Sequence, residues 1–139
     1  MTAHHMMVDL PPYAATMGIT QIVDAHVGDE PVLAMAFHDG LAGRPGMLHG
    51  GAIAGLIDMA AYTALKFSLI ANGASQHFKP IGITIDYVRG GKLATTFARG
   101  KVTRIGRRVA TVFVEAWQDD SQKHIAAARI HMLLSPEPD

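Results

Sequence analysis

The sequence predicts an α+β domain, an antiparallel β-sheet wrapped around one long central helix. Three features lead there. From Gly51 to about Lys66 or Phe67 the chain is dominated by Ala, Leu, Ile and Met and holds no Pro, which favours a helix. Apolar residues lie on every side of that helix, so it needs cover all round rather than along one stripe. The flanking segments read as strands joined by short turns, two before the helix and three or four after it. A curved sheet supplies most of the cover, and a second subunit can supply the rest.

The elements follow in order. Met1 to Tyr13 carries Pro11-Pro12 and no clear period, so the N-terminal arm, set at residues 1–15, is loose or a short lead-in helix. Residues 16–135 form a single domain. Gly18–Val27 and Val32–Phe37 read as a hairpin across Gly28-Asp29-Glu30-Pro31. His38–Pro45 is a loop leading into the helix, which ends near Ser68, before the turn material of Ala71–Ser75. Pro80–Val88 alternates, with Ile81, Ile83, Ile85 and Tyr87 on one face and Gly82, Thr84 and Asp86 on the other. Arg89-Gly90-Gly91-Lys92 turns the chain into a long strand, Leu93–Ile105. Gly106-Arg107-Arg108 connects it tightly to Val109–Trp117, which is rich in β-branched and aromatic residues. After Asp119-Asp120-Ser121, Lys123–Leu134 is a last strand, and Pro136–Asp139 frays. The later strands are expected to form an antiparallel meander.

Composition excludes several classes. At 139 residues, 49% hydrophobic and 17% charged, the chain is one globular domain with a real core. Lys+Arg and Asp+Glu balance at 12 each, which argues against a generic nucleic-acid binder. Cysteine is absent, so there is no disulfide and no thiol nucleophile. The eight histidines fit no metal-ligand spacing, and no metal is expected. No stretch reads as a membrane span. Met1–Asp9 lacks a basic region followed by an apolar core. The expected location is cytoplasmic.

One residue stands out. Asp58 is the lone carboxylate within the apolar helix, and carboxylates are rarely buried without a partner. Just before the helix, His49-Gly50-Gly51 forms a turn that lets backbone approach a ligand closely. Taken alone, Asp58 also reads as a structural carboxylate bonded to backbone or Thr, and His49-Gly50-Gly51 as a plain helix start.

Gly46-x-x-His49-Gly50-Gly51, with Asp58 nine residues after the His, resembles the hotdog-fold acyl-CoA thioesterases of the phenylacetate-pathway type. Ile83-Thr-Ile-Asp-Tyr-Val-Arg89 and Gly106-Arg-Arg-Val-Ala-Thr-Val-Phe-Val-Glu115 are similar too. The resemblance spans roughly Gly18 to Leu134. Two departures stand out. Family members often carry an Asn six residues before the His, where this chain has Gly43 beside Arg44; one polar contact to the nucleophile or water goes with it. They also often have Pro after the Arg of the middle strand, where this chain has Gly90-Gly91.

The resemblance implies hydrolysis of an acyl-CoA, with CoA as part of the substrate and no other cofactor. That chemistry needs a donor for the oxyanion and a base or nucleophile. A helix N-terminus offers free N–H groups and a positive dipole end. The Gly50 N–H is the candidate oxyanion donor, His49 braces the turn or polarises the carbonyl, and Asp58 is the base or nucleophile. Gly51, Tyr62, Thr84, Arg89, Gly90, Arg107 and Arg108 are the substrate-binding candidates. Lys92 and Arg104 are further cations for the CoA phosphates, and Leu65 a further lining of the acyl pocket. Gly50 and Asp58 lie about 12 Å apart along one helix, while donor and base must both lie within about 3 Å of the reacting group. Two antiparallel copies of the helix meet that condition, so the site is expected at a homodimer interface; the resemblance implies a homodimer or a dimer of dimers, a homotetramer. Two other readings compete: a non-catalytic acyl-CoA-binding protein, motivated by Gly43, and a hotdog dehydratase.

Overall fold

The computed structural model describes residues 6–27 and 30–136. Its elements are α1 (Pro12–Met17), β1 (Ile19–Val27), β2 (Glu30–Met35), α2 (Gly50–Ala71), β3 (Gln76–Tyr87), β4 (Thr96–Ile105), β5 (Val109–Trp117) and β6 (Ala126–Pro136). Gly28 and Asp29 of the expected hairpin turn, the first five residues of the arm and the last three of the chain lie outside the described residues.

Helix α2 extends one turn beyond Phe67. It stops where Gly73 adopts a left-handed φ of 70°, and the Gly73 and Ala74 N–H groups close back on the Ile70 and Leu69 carbonyls. This is the glycine-terminated C-cap that satisfies a helix's last carbonyls. At 22 residues α2 is long and apolar enough to cross a membrane by composition, which the shorter sequence reading did not reach. However, 67% of its most apolar window is buried inside the protein, as in a core helix. Helix α1 is the lead-in helix, closed by Gly18 at φ 76°, and its Tyr13 hydroxyl occupies the space left by the missing side chain of Gly55.

All strands pair antiparallel in the order β1-β2-β4-β5-β6-β3. Only β4-β5-β6 is a meander. The expected neighbour of β4 was β3, but β3 pairs with β6 at the opposite edge. The connector 88–95 is too long for a hairpin, and β2 already occupies the free side of β4. Strand β3 also begins earlier than expected. Pro80, which cannot donate to a ladder, is tolerated there because β3 is an edge strand. Ile81 is the extra residue of a bulge between Pro80 and Gly82.

Paired residues share a face. Ala98, Ala116 and Ala126 form one inward row, and Gly100, Val114 and Ala128 the next; small side chains let α2 settle onto the sheet. At Gly100 the approach is closest: a Cβ there would lie 2.9 Å from the Ala60 carbonyl oxygen and 2.9 Å from the Ala64 Cβ. Leu33, Leu56, Ile57, Leu65 and Ile130 are fully buried in the resulting core.

Cover fails on one side. Ile83, Ile85 and Tyr87 pair with inward-facing Ile130, Ala128 and Ala126, yet Ile83 is 48% and Tyr87 52% exposed. Beside them runs a slanting stripe of α2, namely Gly50, Ala54, Asp58, Tyr62, Lys66 and Ile70, each exposed or half-buried while most of the helix is sealed. Tyr62 meets the Phe78 ring of β3 with centroids 5.2 Å apart, and Tyr87 meets Gly50. The stripe and the inner surface of β3 therefore form one continuous uncovered face.

Candidate active site

The start of α2 is held from three directions. The His49 N–H donates to the Leu41 carbonyl at 2.9 Å, and the Leu48 N–H to the Gly91 carbonyl at 2.9 Å. His49 is the N-cap: its Nδ1 accepts from the Gly51 N–H at 2.8 Å. The acceptor role of Nδ1 leaves the proton of the neutral ring on Nε2. A Cβ at Gly51 would stand 2.8 Å from that Nδ1, so a larger residue here would push the imidazole out of its capping position. From β3, the Tyr87 hydroxyl donates to the Gly50 carbonyl at 2.9 Å. The first amides of a helix have no intrahelical acceptor. Gly51 has found one in His49; the Gly50 N–H has none among the described residues.

Gly50, His49, Arg89 and Gly90 line one cavity of about 450 Å³ together with Gly43, Arg44, Met47, Ile53 and Tyr87. Of the expected site residues these four are brought together, with Gly51 adjacent in the chain. Arg89 stands at the lip, its Nη1 donating to the His124 carbonyl at 3.2 Å. Tyr87 was not a site candidate from the sequence. Its signals were its place at the C-terminal end of an alternating strand and within the Ile83–Arg89 stretch, neither of which names a partner, and that partner is 37 residues away.

The other candidates lie elsewhere in the protomer. Asp58 is two turns along α2 on the uncovered stripe, half-buried and without a hydrogen bond or ion pair among the described residues. Desolvation by burial raises its pKa above the ordinary value of 3.8. Tyr62 is one turn further on, while Leu65 is sealed in the core. Thr84 pairs with Arg129 on the face of the sheet turned away from α2, in a hollow of about 190 Å³. Arg107 and Arg108 line a cavity of about 560 Å³ with Arg104, Thr111 and His131. That cavity is at the far end of β5, roughly 23 Å along the strand from Ala116, which lies level with Tyr87.

Gly43 proves more constrained than a simple replacement. Its N–H donates to the Met47 carbonyl at 2.9 Å, closing a tight loop ahead of His49. A Cβ at this position would lie 2.9 Å from the His49 Cα. This backbone path therefore admits no side chain at position 43. Among the described residues, no group of three or more His, Asp or Glu is placed to hold a metal ion.

A family model described as the thioesterase superfamily matches residues 45–125, more than half of the chain. Among solved structures, a protein from Chromobacterium violaceum is 35% identical over 89% of this chain and 83% of its own, with a TM-score of 0.67. The Escherichia coli PaaI protein from the phenylacetic acid degradation operon is 22% identical over 88% and 83%, with a TM-score of 0.70. The phenylacetic acid degradation protein PaaI of Thermus thermophilus, solved as a point mutant, is 22% identical over 88% and 98%, with a TM-score of 0.72. These likenesses make the wrapped helix the hotdog fold. No curated protein matches the chain.

Proposed function

Since this chain belongs to the thioesterase superfamily and is an enzyme of thioester hydrolysis, we propose that it cleaves acyl-CoA at two sites spanning a homodimer. The observation that carries this reading is the presence on one stripe of the Asp58 carboxylate and the helix-start N–H of Gly50, neither of which has a hydrogen-bond partner among the described residues. They are eight residues apart, about 12 Å, too far for one helix to bring both to one carbonyl.

The stripe supplies a solution. Ala54 lies four residues from each, and a two-fold axis passing near it lays two α2 helices antiparallel. Gly50 of one protomer then faces the carboxylate of the other. Gly50, Gly51 and Ala54 are small enough for close approach, and the same operation covers Ile83 and Tyr87, whose exposure a single chain leaves unexplained. It also brings the partner's β4–β5 turn to the end of the dimer where this protomer's cavity opens. That supports Arg107 and Arg108 as phosphate ligands in trans, with Arg89 and Gly90 at the lip in cis.

In the proposed reaction the thioester carbonyl oxygen points at the Gly50 N–H, and charge developing on it is stabilised by that donor and the helix dipole. Asp58 of the other protomer removes a proton from water and passes it to the departing sulfur, or attacks the carbonyl itself to give an anhydride that water then hydrolyses. The carbon–sulfur bond breaks, and the CoA sulfur leaves with a proton. His49 fixes the turn through Nδ1, and its Nε2 proton is free for the substrate. Tyr62 and Phe78 line the inner acyl side. The reaction needs no cofactor beyond the CoA of its substrate, and a cytoplasmic setting fits a CoA-dependent step.

A panel of acyl-CoAs assayed for thiol release with wild type and Asp58→Asn tests this reading. Turnover by the wild type and its loss in the variant is the expected result; equal release by both sinks the mechanism. Gly43 favours a second reading, a protein that binds acyl-CoA without turnover, because the loop has no room for the polar side chain common at that position. Tight binding with no thiol release from any acyl-CoA would establish it.

A further inference from the structure

The zero net charge of the chain conceals a separation of charge. On the face of β3, β4, β5 and β6 turned away from α2, the register aligns Arg99 with Glu115, Lys101 with Phe113 and Arg129, and Arg104 with Thr111 and His131; Lys79 lies level with Leu133. Arg107 and Arg108 cap the patch at the β4–β5 turn. Lys79, Lys101, Arg104, Arg107, Arg108 and Arg129 are all exposed, and none forms an ion pair among the described residues. The acids are few. Glu115 is already held by Arg99 at 3.2 Å and His124 at 2.8 Å. Asp86 lies at the β3 margin, and Glu30 borders the patch on β2. Neighbouring strands are about 4.8 Å apart, so each cation sits about one Debye length, roughly 10 Å, from its nearest neighbours, and their fields partly add.

On the strength of the thioester chemistry assigned above, we propose that this face docks an acidic carrier protein. Such a protein presents its acyl group as a thioester on a phosphopantetheine arm. The patch is broad, spanning four strands and carrying two hollows of about 560 and 190 Å³, which suits the surface of a protein better than the few phosphates of one nucleotide. It also ends beside the reaction. Thr84, level with Lys101 and Arg129, is about 10 Å along β3 from Tyr87. The cavity mouth at Val88, Arg89 and Gly90 is where that strand leaves the sheet. An arm anchored on the basic face rounds this end to reach Gly50. Water adds its oxygen to the acyl carbon, the carbon–sulfur bond breaks, and the sulfur of the arm takes the proton, so the carrier departs as the free thiol. A nucleic acid on the same face would deliver nothing to the cavity.

The test compares one acyl group on a carrier protein and on CoA, with wild type and the Lys101→Glu/Arg129→Glu variant. Binding of the thiol-bearing carrier is read separately by calorimetry. Docking predicts that the variant loses at least about tenfold in kcat/KM toward the carrier substrate and loses carrier binding, while its turnover of acyl-CoA stays within about twofold. That unchanged turnover shows the variant is folded, and Lys101→Gln/Arg129→Gln should show a smaller loss of the same kind. Equal effects on both substrates, no carrier binding by wild type, or tighter binding of duplex DNA than of the carrier would overturn the proposal. Carrier binding without hydrolysis of either substrate would sink the hydrolytic reading and leave docking standing. Hydrolysis of acyl-CoA without carrier binding would do the reverse.

Discussion

As the proposed base, Asp58 ties the stability of this protein to its chemistry. Its raised pKa means that the folded chain holds the proton more tightly than the unfolded one. The ionised carboxylate therefore costs stability. The cost is absent below the ordinary carboxylate pKa, grows as pH rises towards the raised value, and is constant above it. Asp58→Asn should accordingly raise Tm at neutral pH and leave it unchanged in strong acid, while reducing kcat by about 10²–10⁴-fold. Wild-type turnover should fall as pH drops through the raised pKa, since only the carboxylate is a base. Gly50→Pro tests the other half of the site. Pro is tolerated at the first position of a helix, and the extended backbone of His49, φ −67° and ψ 133°, suits a residue before Pro. The helix should persist without the one N–H proposed to bind the oxyanion, and kcat should drop by about 10²–10³-fold, with circular dichroism unchanged. Tyr87→Phe removes the bond to the Gly50 carbonyl. A loss of about two- to tenfold in kcat at nearly constant KM is expected, the scale of one hydrogen bond.

At the scale of elements, the site depends on how closely α2 approaches the sheet. Gly100→Ala should destabilise the fold by about 1–3 kcal/mol in denaturant titration, because its Cβ meets the backbone oxygen of Ala60 rather than a movable side-chain end. Most elements were legible in the sequence. Local signals such as the apolar run without Pro, the turns at Asp119–Ser121 and Gly106–Arg108, and the alternation up to Tyr87 depend on near neighbours only. Asp58 was legible for the same reason, as one charge in a run of apolar residues. What escaped depends on distant partners. The pairing of β3 with β6 is set by which edge is left after β2 takes β4, and no local period encodes that. The same holds for the Tyr87–Gly50 bond and for the cations gathered on the outer face, whose residues alternate with core residues along four separate strands. A net charge summed over the chain cannot report how that charge is distributed.

For the whole molecule, the decisive question is whether one polypeptide can complete a site alone. Under the proposed dimeric mechanism, Asp58→Asn keeps the amide of Gly50 and lacks the base, while Gly50→Pro keeps the base and lacks the amide. Each homodimer has two defective sites. In a mixed dimer of the two variants, a two-fold axis near Ala54 joins the intact Gly50 of one chain to the intact Asp58 of the other, and joins the two defects at the second site. Random exchange makes half of all dimers mixed, each with one working site of two, so activity should recover to about one quarter of wild type. A site confined to one protomer gives no recovery at any mixing ratio. Exchange can be checked by placing a different affinity tag on each variant and measuring thiol release from the doubly selected mixed species, which should reach about half of the wild-type rate. The same exposed face supplies a control. Ile83→Asp buries a charge wherever β3 meets a second copy, and should shift the protein to monomer in sedimentation and abolish turnover together. Retained turnover by a monomer would mean that the carboxylate and the amide meet within one chain, across a distance that α2 as folded does not close.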